Sequence, residues 1–360
     1  MWVSLTTGPA ARPSESMNPS PRALLAHVGR RTFVVAGALT AALVVVVSLP
    51  GLLGSDVTRA LHQLEEARPI WLWLAAFAFV GSLSCSSMAW RSALSAVGGR
   101  NGIVDAGARY GVGSLVNSVA PARLGDAVRV ALFSRTLPGE DKVLRTGGVF
   151  AALGAARALV LGVLLVVGFS LGAIPFWPVA ALAGLVGVAV TVAFLTRRRT
   201  PHSRVAHLLD AFRAFGREPR RGARIIAWIA LATAFRLGAC AAIAAALGIH
   251  APVLAALLIV PVLDLAGTMP LTPGNIGVTS GAVTMALQAH GVALTEALGA
   301  GIALHAVETA AGLVFGLTGA LLLAQFPTPE SRRIAIASAG GVAAAALAAG
   351  LGATLLLPLV

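Results

Sequence analysis

The chain has 360 residues, 57% of them hydrophobic and 11% charged, with a formal net charge of +13 at pH 7 and a mean hydropathy of +0.86. Soluble globular domains carry about 25% charged residues, so a water-soluble enzyme or binding domain is excluded. The positive charge does not mark a nucleic-acid binder, because most of it lies in a few segments between apolar runs, where positive-inside bias places it.

Residues 1–21 are rich in Pro, Ser and Thr and show no apolar period, so a disordered N-terminal segment, reaching to 31, is expected. Met17 offers an alternative start. No cleavable leader is evident, since the first apolar run opens only near Thr32. A first span is expected at 32–53, long enough for the ~20 residues that cross a ~30 Å hydrocarbon core. Residues 55–69 then suit a short interfacial helix, and a second span at 70–97 enters through Trp71 and Trp73.

Residues 98–145 carry seven basic and four acidic side chains. They hold two weakly apolar pieces, 107–121 and 127–133, each too short to cross. A hairpin that enters and leaves on one side fits them better, because irregular backbone at membrane depth is tolerated only inside protein. Spans three and four are expected at 146–170 and 173–196. The loop 197–224 follows, with nine arginines against Asp210 and Glu218, and its apolar spacing reads as an amphipathic helix on an anionic leaflet. Span five is expected at 224–247. A second apolar stretch then breaks at Pro270 and Pro273, with Gly274 and Gly277 close by. Spans six and seven are expected at 294–324 and 335–358, with Arg332 and Arg333 between them. Cys85 and Cys240 lie in separate apolar runs, which argues against a disulfide framework or a metal site.

Charge sets the sidedness. Arg12, Arg22, Arg30 and Arg31 precede the first span, placing the N-terminus in the cytoplasm. Alternation then puts 98–145, 197–224 and 325–333 inside, provided both broken segments are re-entrant from opposite sides. The expected fold is therefore all-α: a polytopic helical protein of the cell inner (plasma) membrane, with about seven spans and two opposed re-entrant hairpins. Its domains are the N-terminal segment 1–31, a transmembrane domain 32–325, and a C-terminal basic turn with a last helix, 326–360. Opposed broken helices are the layout of transporters with inverted repeats. The halves share no residue-level similarity, so that step is architectural analogy.

Two motifs stand out. "PARLGDAVR" combines Pro121, Arg123, Gly125, Asp126 and Arg129. Pro ends one helical piece, Gly allows a tight turn, and two guanidinium groups flank the next helix start, a good setting for phosphate. An ordinary cytoplasmic loop whose arginines only set topology is the plainer account. "PLTPGNIG" holds Pro273, Gly274, Asn275 and Gly277, a break that frees backbone groups for protein, water or substrate. A simple turn between helices is its plainer account.

"NSVAPARLGDAVR" resembles the P-x-R-x-G-[DE]-x-x-R signature of the lysylphosphatidylglycerol synthase transmembrane, flippase-like family. "MPLTPGNIGV" resembles that family's second signature, P-x-x-P-G-G-x-G. The resemblance covers about 32–325. Asn275 replaces the second glycine, Thr279 and Ser280 stand where an acid often follows, and Ala156 precedes Arg157 where an acid–Arg pair is often seen. The resemblance implies a lipid translocase. Val360 leaves no room for the lipid-aminoacylating domain of larger members, so aminoacyl transfer is not implied.

Ionisable residues within the spans are costly and need partners or a water-filled cavity. Arg157 and Arg236 fall mid-span, Asp264 in the second hairpin, and His305 and Glu308 share a helix face. Structural ion pairs between spans are one reading. The other is a shared cavity in which Arg157 and Arg236 hold a phosphate and Asp264 or Glu308 couples to protons. His305 with Glu308 lacks a third ligand, so no metal is expected. No nucleophile elbow, Walker loop or catalytic carboxylate pair appears. No enzyme activity and no cofactor are expected, and transport would be downhill or ion-driven. The expected partners are anionic membrane lipids, with no nucleic acid. The expected function is translocation of an anionic phospholipid or lipid-linked envelope precursor between leaflets. A scaffold for an envelope glycosyltransferase or synthase and a secondary transporter of a small anion are the alternatives.

Overall fold

The computed structural model describes residues 67–120, 124–139, 141–176, 178–180, 182–184, 187, 218–268 and 277–324. Among them there is no strand. Four helices are long and apolar enough to cross a membrane: α1 (Pro69–Ala96), α4 (Lys142–Ser170), α5 (Pro219–Ala246) and α8 (Leu294–Ala324). Four shorter helices fill the broken segments: α2 (Ile103–Val119), α3 (Leu124–Ser134), α6 (Pro252–Thr268) and α7 (Val278–Ala289). The expected spans two, three, five and six are therefore present. Spans one and seven, most of span four, the 55–66 stretch and the basic loop to residue 217 lie outside the described residues.

Helix ends follow local chemistry. Proline opens α1 and α5 at the first helical position, where its missing N–H costs nothing. That start extends α5 five residues ahead of the expected 224. α2 stops at Val119, ahead of Pro121, as the steric restriction before proline requires. Gly277 precedes α7 at φ +83, a left-handed backbone that favours glycine.

Both broken segments are hairpins, and they enter from opposite ends. The N–H of Arg100 donates to the carbonyl of Thr136 at 3.4 Å, so the α2–α3 unit returns to where it began. For α6–α7, depth gives the answer. Arg236 bonds both Asp264 and Glu308. It lies 11 residues before the α5 cap Leu247, while Asp264 lies 12 beyond Pro252 and Glu308 14 beyond Leu294. At 1.5 Å per residue those ends all stand roughly 16–21 Å from one level, so α6 starts and α7 finishes at the same end. α1 and α5 are antiparallel, with Gly81 against the Phe235 ring and Trp90 clustered with Ile225 and Ile229. The entry of α2–α3 thus lies at the Ala96/Pro219 end and that of α6–α7 at the opposite one.

α8 is the spine on which both hairpins lean. A Cβ on Gly301 would meet the carbonyl of Ser280 on α7. Further along, Gly312, Gly316 and Gly319 face Ser118, Leu115 and Ala108 of α2. Without a hydrophobic force between helices in lipid, such small-residue contacts let backbones approach and supply the dispersion energy of packing.

Candidate functional site

All eight helices contribute to one central cavity of about 270 Å³. The inner ends of both hairpins reach it, through Ala120 and Asp126 on one and Gly267 and Thr279 on the other. Its charged lining consists of Asp126, Arg129, Arg157, Arg236, Asp264 and Glu308, with His305 beside them. Six residues singled out from the sequence, from five helices, therefore converge. Gly277 does not line the cavity; it turns the chain into α7. Arg123, Pro273, Gly274 and Asn275 lie outside the described residues.

The three arginines are held very differently. Arg129 Nη1 donates to Asp126 Oδ1 at 2.6 Å and its Nη2 to Ser114 Oγ at 2.7 Å. Its guanidinium carbon sits 4.1 Å from the centroid of the Tyr110 ring, a cation–π contact. Asn117 Nδ2 donates to the same Asp126 oxygen at 3.2 Å. Arg129 thus fastens α3 to α2, and its charge is matched inside the hairpin.

Gly125 makes that fastening possible. Its φ is not left-handed, so the expected tight turn is not its role. A Cβ there would run into the Gly113 carbonyl oxygen and the Asn117 side chain, and one on Gly113 would run into Arg129. The two backbones touch because neither residue has a side chain.

Arg236 on α5 bridges two other helices. Its Nη1 donates to Asp264 Oδ1 of α6 at 2.5 Å and its Nη2 to Glu308 Oε1 of α8 at 3.4 Å. The Nε is buried without a hydrogen-bond partner. This triad carries a formal charge of −1. The fork geometry of guanidinium, unavailable to lysine, is what lets one side chain serve two carboxylates.

Arg157, near the middle of α4, forms no ion pair or hydrogen bond with any described residue. The six described cavity charges sum to zero only when taken together, with Arg157 offsetting the triad at a distance. Among the described residues no three His, Cys, Asp or Glu side chains cluster as metal ligands would.

Sequence reading missed the polar face of α2. Tyr110, Ser114 and Asn117 follow one another at i, i+4 and i+7, and all line the cavity. That spacing was a visible signal, since it places three polar groups on one side of a helix.

The family model for the lysylphosphatidylglycerol synthase TM region matches residues 33–316. No curated protein matches the chain significantly.

Proposed function

The chain belongs to the lysylphosphatidylglycerol synthase transmembrane family, and we propose that it moves an anionic phospholipid or lipid-linked envelope precursor between leaflets, without catalysing a covalent step. The observation that carries this reading is Arg157, without an ion-pair or hydrogen-bond partner among the described residues, in a polar cavity walled by membrane-length helices. An ionisable group inside a membrane domain marks a ligand path by default, and guanidinium matches phosphate oxygens with two parallel donors. A cavity of about 270 Å³ suits a headgroup phosphate while acyl chains stay in the surrounding lipid.

The test is a reconstituted liposome assay following a fluorescent anionic phospholipid. The parent is expected to accelerate its exchange between leaflets, and Arg157→Lys to lose tenfold or more, since a hydrogen bond to a charged group is worth about 1.5–3 kcal/mol and each 1.4 kcal/mol is a decade. Absence of exchange by the parent, or full activity in Arg157→Lys, overturns the reading.

The proposed orientation is in the plasma membrane with the N-terminus cytoplasmic, which the charge asymmetry supports. Arg91, Arg100, Arg145, Arg220, Arg221 and Arg224 all gather at the Ala96/Pro219 end, whereas His250, His290 and Glu296 mark the other. Cys85 and Cys240 are buried and should stay silent to thiol reagents. In intact cells His290→Cys should react with an impermeant maleimide, and Arg221→Cys only after permeabilisation. The reverse pattern inverts the molecule.

A further inference from the structure

A second recess, of about 810 Å³, opens where the last turns of α1 meet the turn into α2 and the first turns of α5. It is separate from the central cavity and shares no lining residue with it. Arg91, Arg100 and Arg224 line it, and no acidic side chain does. None of the three forms an ion pair with a described residue. Three guanidinium groups around one recess repel one another, and none has a carboxylate in direct contact among the described residues.

Two polar side chains at the recess are only partly satisfied among the described residues. Arg91 Nε donates to the Asn101 carbonyl at 3.1 Å, which anchors the side chain and leaves its terminal nitrogens without a partner. The Asn101 Nδ2 is buried and makes no hydrogen bond. A buried unsatisfied donor is rare in folded proteins and calls for an explanation. Trp228 forms part of the wall, and Ile103 and Val104 stand exposed beside it at the start of α2. An amphipathic indole next to apolar surface is the arrangement found at headgroup level. Basic pockets between helices at that level bind lipid phosphates.

We propose that this recess is a binding site for a phosphate-bearing anion at the membrane surface, distinct from the transport cavity. Arg91, Arg100 and Arg224 supply the charge and the donors. Trp228 and the apolar start of α2 fit the glycerol and upper acyl region of an anionic lipid. The bound anion would tie the α1 and α5 ends to the mouth of the α2–α3 hairpin.

The full chain in neutral detergent would be titrated with short-chain phosphatidylglycerol, short-chain phosphatidylcholine and inorganic phosphate, with bound ligand counted by native mass spectrometry. The parent should hold phosphatidylglycerol at least tenfold more tightly than phosphatidylcholine. Arg91→Gln/Arg100→Gln/Arg224→Gln should lose the recess's share of that preference, with Arg224→Gln alone losing part of it. The titrations are repeated in an Arg157→Gln background, which weakens any lipid binding in the central cavity; a preference for phosphatidylglycerol that persists there and disappears when the three recess arginines are also replaced belongs to the recess, so failure of the transport reading leaves this site standing. Inorganic phosphate matching phosphatidylglycerol would identify the free anion as the occupant of the same site. Equal binding of the two lipids by the parent, or unchanged phosphatidylglycerol binding in both the triple and the Arg224→Gln variants, overturns the proposal.

Discussion

Arg236→Gln is expected to destabilise the purified protein by up to about 3 kcal/mol, the lower edge of the range seen when one partner of a fully buried ion pair is removed, because the Arg236, Asp264 and Glu308 side chains stay 19%, 21% and 38% exposed. The guanidinium lies between Asp264 at 2.5 Å and Glu308 at 3.4 Å, and its loss leaves two carboxylates facing each other with no cation. The penalty is the exposure of those charges to a poor solvent, not the worth of the bridge itself. Neutralising the acids should therefore recover much of the stability. Arg236→Met combined with Asp264→Asn and Glu308→Gln is expected to unfold near the parent midpoint, because neutral groups carry no charge to desolvate. A double-mutant cycle should give a larger coupling for Arg236 with Asp264 than with Glu308, following the shorter contact. Thermal and denaturant unfolding in one detergent measures all of these. A parent-like midpoint in Arg236→Gln would mean that water in the cavity screens both acids, and the triad would lose its structural role.

The second large effect is at Gly125. Gly125→Ala places a methyl group against the Gly113 carbonyl oxygen and the Asn117 side chain. The carbonyl belongs to helical backbone and cannot swing away, so α2 and α3 must separate. Overpacking of this kind costs about 1–3 kcal/mol. Separation also withdraws Arg129 from Ser114 and Tyr110, so hairpin order and cavity shape should fail together. Faster proteolysis between residues 98 and 145, with a lowered unfolding midpoint, is the expected result. Gly107→Ala supplies the control, because a Cβ there has nothing within 4 Å. In that open position alanine should be neutral or stabilising by up to about 1 kcal/mol, since it is the better helix former. Equal behaviour of the two variants would refute the close-approach account of Gly125.

Most of the helical scaffold was legible in the sequence. Spans two, three, five and six rest on hydropathy summed over some twenty adjacent residues, and that sum needs no knowledge of distant chain. The two hairpins were legible for a related reason. Their pieces are too short to cross, and Pro121, Pro270 and Pro273 mark where helix cannot continue. Charge asymmetry, again a sum along the chain, suggested which ends share a side. A cavity shared by Arg157, Arg236, Asp264 and Glu308 was one of two readings suggested by the high cost of charge in lipid; that Asp126 and Arg129 join them there was not legible.

What each of those groups does there was decided only in three dimensions. Arg129 and Arg157 look alike in sequence, one arginine in each of two apolar stretches. Arg129 is matched by Asp126 on its own helix and by Ser114 and Tyr110 across the hairpin, while Arg157 has no described partner. Arg236 finds its acids 28 and 72 residues away, a pairing set by how α5, α6 and α8 are rotated and shifted against one another. Gly125 reads as a turn residue until Gly113 is brought against it. Local composition determines which segments leave water and where they break. The rotation and register of packed helices, fixed by glycine contacts such as those along α8, determine which charges meet and which one is left to meet a ligand.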